Sequence, residues 1–327
     1  MKKHLKRRAL LGAATLLAAP HLAHAQGAWP DRPVRIIVPF TPGGTTDILA
    51  RSLGAELQES LGQSFIIENR PGAGGTLGSE VVARAAPDGH TLMMGHIGTL
   101  AVNPWIYRGL GYDTVTSFQP IGLAAIVPNV MVVNMRKIPV TSIQELIALA
   151  KARPNALSYG SGGNGSAAHI AMVAFNVAAG TQMEHIPYRG TGPMVNDLIA
   201  GTIDLALTGG PAALPPARAG LVRALGVSSL TRLSSAPDIP TIAEQGLPGF
   251  DATQWYGLVA PAGTPRPIVD RLNAECMRIL NGDRLRPRLA GEGAEAAPGS
   301  PEQFRDWIIA ERARWGELIR RANVTAD

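Results

Sequence analysis

Cysteine is almost absent from this sequence of 327 residues, in which Cys276 is the only one. A single cysteine excludes an intramolecular disulfide and a cysteine zinc cluster, so the fold depends on its own hydrophobic core. Long hydrophobic runs are also scarce, because after residue 25 no apolar stretch approaches the ~20 residues that cross a bilayer. The roughly 300 residues that remain for globular structure predict two domains.

The excess of positive charge is confined to the N-terminus. The chain has 30 Lys and Arg residues against 25 Asp and Glu residues, and five of the basic ones fall between positions 2 and 8. Without them the two signs balance, so no extended basic surface is available for binding nucleic acid. We therefore expect no nucleic-acid partner.

Residues 1–25 have the organisation of a signal peptide. The basic start is followed by an apolar segment at residues 9–19 and by the small-residue motif AHA, which ends at position 25. This order is typical of a cleaved secretory signal, and it predicts a periplasmic protein whose mature chain begins at Gln26. A pair of arginines at positions 7 and 8 leaves the twin-arginine route open beside the general one.

Residues 34–51 (VRIIVPFTPGGTTDILAR) predict a strand, a glycine loop and a helix. The β-branched run at residues 34–38 favours a buried strand, and the prolines with Gly43 and Gly44 end it. Leucines at every fourth position then mark a helix whose first turn contains Asp47. The N-terminus of a helix can bind an anion through its unpaired N–H groups, without any cationic side chain. The absence of a following Gly-Lys-Ser/Thr excludes a Walker A loop.

Strands and helices alternate along the chain, which predicts an α/β fold with parallel strand pairing. Glycine loops follow each of the first three predicted strands, at residues 39–47, 69–80 and 95–99. Because ligands of such sheets bind beyond the carboxyl ends of the strands, we expect these loops to converge on one site.

Pro128 interrupts a long apolar run at residues 120–134. A central strand rarely tolerates a proline, so this segment is interpreted as leaving one sheet and entering another. Residues 250–259 predict the return. We therefore expect a first domain of residues 26–127 and 248–327, and a second domain of residues 128–247.

Residues 160–165 (GSGGNG) match the dinucleotide fingerprint G-x-G-x-x-G, and Glu184 lies where a ribose-binding acid is expected. A nucleotide-dependent oxidoreductase is thus one alternative, although an exported protein has no ready supply of nicotinamide cofactor. A periplasmic α/β enzyme is another. No G-x-S-x-G or H-E-x-x-H motif occurs, however, and His169 and His185 have no carboxylate or cysteine at motif spacing. We expect no catalytic residue, no metal site and no cofactor.

The chain resembles the Bug-type periplasmic solute-binding proteins of tripartite tricarboxylate transporters. The resemblance runs in order through most of the mature chain. It is carried by residues 39–51 (PFTPGGTTDILAR), 69–75 (NRPGAGG), 160–169 (GSGGNGSAAH), 185–190 (HIPYRG), 240–244 (PTIAE), 255–265 (WYGLVAPAGTP) and 311–315 (ERARW).

The resemblance implies an α/β periplasmic-binding-protein clamshell of two domains with two interdomain crossings. Such a protein binds a small carboxylate between its domains and delivers it to the membrane components of the transporter. It is expected to be a monomer and not an enzyme. One departure from the family follows Asp204, where LALTGG replaces an aromatic residue and an acid or amide. The contribution of residues 208–211 to specificity is therefore open.

In this family the Pro-Gly-Gly loop and its counterpart in the other domain hold carboxylates through main-chain groups, hydroxyls and waters. Arg189, on a third glycine loop, is a further candidate for contact with an anion. The predicted ligand-binding residues are Thr41, Gly43, Gly44, Thr45, Thr46, Asp47, Ser161, Gly163, Asn164, Ser166, His169 and Arg189.

Overall fold

The computed structural model describes residues 29–325, so the predicted signal peptide lies outside the described residues. Within this range no helix combines the length and the apolar character needed to cross a membrane. The elements in chain order are β1 (Val34–Val38), α1 (Thr45–Leu61), β2 (Phe65–Asn69), α2 (Thr76–Ala83), β3 (Thr91–His96), α3 (Asn103–Ile106), β4 (Phe118–Val127), β5 (Asn129–Val133), α4 (Ile143–Ala152), β6 (Ser158–Ser161), α5 (Ala167–Ala179), β7 (Glu184–Pro187), α6 (Thr191–Ala200), β8 (Leu205–Gly209), α7 (Gly210–Arg218), β9 (Arg223–Val227), β10 (Gln254–Pro261), α8 (Arg266–Asn281), α9 (Leu285–Gly291), β11 (Glu295–Ala296) and α10 (Pro301–Ala322).

The strands form two separate sheets. The first has the order β11-β4-β10-β3-β1-β2, and the second has the order β7-β6-β8-β5-β9. We call residues 29–127 and 254–325 the first lobe and residues 129–227 the second lobe. The chain passes between the lobes at Pro128, which separates β4 from β5, and again through residues 246–253, after a segment that is hydrogen-bonded to β9.

The pairing of the strands is mixed rather than parallel throughout. β1 pairs in parallel with β2 and β3, as the alternation of strands and helices predicted. The prediction is wrong for β10, which is antiparallel to both β3 and β4, and for β5, which is antiparallel to β8 and β9. The cause is the double crossing, because a chain that leaves a sheet through β4 and returns in the neighbouring β10 must run the opposite way.

One helix, α7, was missed in the sequence because it contains three prolines. α7 contains Pro211, Pro215 and Pro216, and the sequence analysis assigned no helix there. Pro211 occupies the first turn, where its missing N–H costs nothing. The same rule allows Pro193 inside the first turn of α6, which begins at Thr191.

The largest buried apolar cluster is continuous from one sheet to the other. It contains Ile37 of β1 and Met131 of β5, and the rings of Phe175 in α5 and Phe250 in the second crossing meet edge-on at 6.1 Å. The lobes are therefore joined by buried packing next to the crossings as well as by the chain itself.

Candidate functional site

A small cavity lies between the lobes, at the carboxyl ends of the central strands. The cavity has a volume of about 20 Å³, which is enough for roughly one water molecule. The lobes are thus closed on each other. The residues that line the cavity are Phe40, Thr46, His96, Gln254 and Tyr256 from the first lobe, and Gly162, Ser166, Ala167, Ala168, Thr191 and Thr208 from the second.

Three helices begin at this cavity. Thr46 lies in the first turn of α1, Ala167 and Ala168 in that of α5, and Thr191 opens α6. First-turn N–H groups have no acceptor within their own helix, and the helix dipole adds a partial positive charge. No Lys, Arg, Asp or Glu is among the lining residues. The positive potential at this site therefore comes from the main chain, and it suits an anion.

The glycine loop before α1 is braced by Asp47. Its carboxylate accepts hydrogen bonds from the Gly43 N–H (3.0 Å), the Arg51 guanidinium (3.0 Å) and the Asn69 amide (2.9 Å). Burial alone would raise the pKa of Asp47, but these hydrogen bonds and the charge of Arg51 lower it below its usual value. Both carboxylate oxygens are engaged inside the first lobe, so the observed role of Asp47 is to fix the loop.

The matching loop of the second lobe is braced by uncharged groups. The Ser161 hydroxyl lies 2.6 Å from Nε2 of His185 and accepts the Gly163 N–H at 3.1 Å. Nδ1 of His169 accepts the Gly165 N–H at 3.1 Å, and its ring stacks on His185 with centroids 4.1 Å apart. Burial, together with the neighbouring His185, lowers the pKa of His169 to about 3. Burial lowers the pKa of His185 to about 4, so both rings are neutral near pH 7.

His96 and Tyr256 form the floor of the cavity in the first lobe. Nδ1 of His96 accepts the Thr99 N–H at 3.2 Å, which leaves the proton on Nε2. Burial lowers the pKa of His96 to about 4, so the ring is a neutral donor. Burial raises the pKa of Tyr256, which shares hydrogen bonds with the threonine pair at the start of α1 and donates to Gln254.

The predicted ligand-binding residues occupy several kinds of position. Thr46 and Ser166 line the cavity, and Ser166 also caps α5 by accepting the His169 N–H at 3.4 Å. The hydroxyl of Thr41 is buried without a hydrogen-bond partner, beside the start of α6. Arg189 is exposed and does not line the cavity. Contact of the predicted set with a ligand stays a prediction.

Several lining residues were missed by sequence reasoning. Thr191 follows Gly190 in a third glycine loop, and His96 ends β3 in another, so the same loop signal that found Gly44 could have found both. Gln254 has no such signal, because it reaches the cavity only through the antiparallel insertion of β10.

Two glycines of the apparent dinucleotide fingerprint, Gly160 and Gly165, allow close packing. A Cβ on Gly160 would collide with Ile203 and Met194 of its own lobe, and a Cβ on Gly165 would lie 2.5 Å from Oδ1 of Asn103 in the first lobe. In the closed arrangement the first lobe covers this loop, where a pyrophosphate would have to sit. Across residues 29–325 no group of three or more His, Cys, Asp or Glu side chains has a metal-binding arrangement.

Comparisons with known proteins agree with this geometry. The model of the tripartite tricarboxylate transporter family receptor matches residues 49–324. Protein BugT of Bordetella pertussis is 37% identical over 305 residues, which cover 93% of this chain and 92% of that protein.

Two solved structures are closely similar. R. palustris Rpa4515 with adipate has a TM-score of 0.88 and 40% identity, covering 91% of this chain and 99% of its own. MatC (Rpa3494) from Rhodopseudomonas palustris with bound malate has a TM-score of 0.84 and 35% identity, covering 89% of this chain and 99% of its own.

The fold and the cavity define an α/β solute-binding protein. The chain belongs to the tripartite tricarboxylate transporter receptor family, and its similarity to BugT confirms the Bug-type resemblance seen in the sequence.

Proposed function

We propose that this protein captures a small carboxylate between its two lobes in the periplasm and delivers it to the membrane components of a tripartite transporter. The observation that carries the proposal is the convergence of three helix N-termini on an interlobe cavity whose lining contains no formally charged side chain. The bound adipate and malate of the two similar structures support the ligand class.

In the proposed complex one carboxylate of the ligand docks at the start of α1. The N–H groups that follow Gly44 and the hydroxyl of Thr46 donate from the first lobe, and Ser166 and the first turn of α5 donate from the second. The other predicted residues do not contact the ligand in this proposal but hold the loops in place, as Asp47 and His169 do by accepting loop N–H groups. Three or four hydrogen bonds to a charged group, at about 1.5–3 kcal/mol each, offset the cost of ordering and reach micromolar affinity, about −8 kcal/mol.

Binding is proposed to close the clamshell. The two domains, residues 26–127 with 248–327 and residues 128–247, pivot about the crossings at Pro128 and residues 246–253. The protein works as an exported monomer, without catalysis and without a cofactor. No nucleophile or general acid with supporting partners is found at the cavity, since His96 and His169 already hold main-chain N–H groups at Nδ1.

The direct test is to identify what the protein binds. Mass spectrometry of small molecules that purify with it is followed by a thermal-shift panel of acetate, malate, adipate and citrate. An acid present at 100 times its Kd stabilises the native state by about 2.7 kcal/mol, which is a clear rise in Tm. Small-angle scattering then shows compaction on saturation.

A panel in which no acid raises Tm, with no acid in the purified material, contradicts the proposal. The uncharged methyl ester of the best acid is the matched control. It has the same carbon skeleton but no anion for the helix N-termini, and it should not raise Tm.

A further inference from the structure

Around the cavity, main-chain atoms of the first lobe pack directly against main-chain atoms of the second lobe. We call this contact the seam. A Cβ on Gly74 of the first lobe would collide with the Asn164 carbonyl oxygen of the second. A Cβ on Gly98 would lie 2.5 Å from the Gly165 carbonyl oxygen, and one on Gly192 would lie 2.7 Å from that of Pro42. These glycines allow the backbones to touch, and a side chain at any of them would keep the lobes apart.

A tyrosine hydroxyl bridges this seam. Tyr107 follows α3 in the first lobe, and its hydroxyl donates to the Asn164 carbonyl oxygen of the second lobe at 2.7 Å. Burial raises the pKa of Tyr107 to about 12, so the phenol keeps its proton under physiological conditions. Tyr107 does not line the cavity.

We propose that Tyr107 is a positioning residue that latches the closed lobes by binding the Asn164 carbonyl. This rests on the proposed function, because closure is what retains the ligand. The hydrogen bond exists only when residues 160–165 lie against the first lobe, so it stabilises the closed state and not the open one. Apparent affinity depends on the population of the binding-competent state, and the latch therefore sets affinity without touching the ligand.

The test is Tyr107→Phe, which removes the hydroxyl and keeps the ring. We expect the Kd for the tightest acid of the panel to rise about three- to tenfold, as for loss of one hydrogen bond. The rise should appear in the dissociation rate, with an association rate within about twofold of wild type, because the latch forms after encounter.

Tyr112→Phe is the matched control. The Tyr112 hydroxyl also donates to a main-chain carbonyl, that of Thr99 at 2.9 Å, but within the first lobe. It should lower Tm and leave both rate constants unchanged. An unchanged dissociation rate in Tyr107→Phe, or an equal change in both variants, overturns the latch.

A second measurement does not need a ligand. Spin labels on cysteines placed at the exposed positions Arg286 and Gln182 report the distance between the lobes, and the native Cys276 is buried. The latch predicts a smaller closed population for Tyr107→Phe than for wild type, and identical distance distributions overturn it. If no acid binds wild type, the proposed carboxylate function fails, and this measurement still decides the latch.

Discussion

The two glycine loops that meet at the cavity each place the N-terminus of a helix there, but they are held in position by different side chains. The loop before α1 is held by a carboxylate, Asp47, which binds a main-chain N–H, a guanidinium and an amide. The loop before α5 is held by the neutral group of Ser161, His169 and His185. Both present the start of a helix to the same small space.

The difference follows from solvent access. The side chain of Arg51 is 51% exposed, so the ion pair that it forms with Asp47 keeps part of its hydration. His169 is buried between the loop and His185, where a charge without a partner would be costly. Either kind of brace can therefore hold the start of a helix at a cavity whose lining contains no Lys, Arg, Asp or Glu. The two braces should therefore respond differently to mutation and to acid.

The largest effect is expected at Gly44, where the loop before α1 faces the start of α6. A Cβ on Gly44 would lie 3.2 Å from the Thr191 Cβ across the lobes, so Gly44→Val blocks both closure and the carboxylate position. We expect calorimetry to show no binding of an acid that binds wild type, with Tm close to wild type. Gly291→Val is the control, because no atom lies within 4 Å of its Cβ position. Wild-type affinity in Gly44→Val would show that the site is elsewhere.

The neutral brace and the buried His96 of the first lobe together predict a loss of stability in mild acid. His169, His185 and His96 have folded pKa values of about 3, 4 and 4, below the ordinary 6.5, so the unfolded chain binds protons that the folded chain does not. The free energy of unfolding should be fully present above pH 6.5 and should fall as pH drops toward 4. The slope is up to about 1.4 kcal/mol per pH unit for each histidine.

Urea unfolding from pH 7.5 to pH 4 measures this slope. His169→Gln should make it shallower, because one proton-binding difference is gone. A free energy that stays constant between pH 6.5 and pH 5 in wild type would contradict neutral, buried histidines.

The charged brace predicts a smaller and separate loss. Asp47→Asn removes the charge that binds Gly43 N–H and Arg51, and it should lower the free energy of unfolding by about 1.5–3 kcal/mol and weaken ligand binding. Asp270→Asn is the control, because the Arg266–Asp270 pair is also spaced by four residues but is exposed. It should change stability by less than about 0.5 kcal/mol. If the two variants lost the same free energy of unfolding, the proposal that Asp47 has a special bracing role would be contradicted.

The smallest effect is expected at Arg189, the one cation among the sequence-predicted ligand residues. It is exposed and outside the cavity lining, so Arg189→Ala should change Kd by less than about twofold. Calorimetry with the best acid decides this. A tenfold rise in Kd would mean that the ligand reaches a cation as the sequence suggested, and that main-chain recognition is incomplete.

Local signals predicted those parts that depend on local chemistry. The strand at residues 34–38 was found because prolines and glycines bound a β-branched run, and Pro128 lies between β4 and β5 because a central strand rarely tolerates a proline. The bracing contact between Asp47 and Asn69 has no local signal, because the two residues are 22 positions apart in the sequence. Gln254 was missed for the same reason, since its place at the cavity depends on a strand that returns from the other lobe.

The most direct test of main-chain anion recognition is a crystal structure with the acid that binds most tightly. We predict one carboxylate between the lobes, with its oxygens within hydrogen-bond distance of main-chain N–H groups in the first turns of α1 and α5 and of the Ser166 hydroxyl. A carboxylate held by Arg189 or another cationic side chain, or a ligand bound outside the interlobe cavity, would contradict the proposed site.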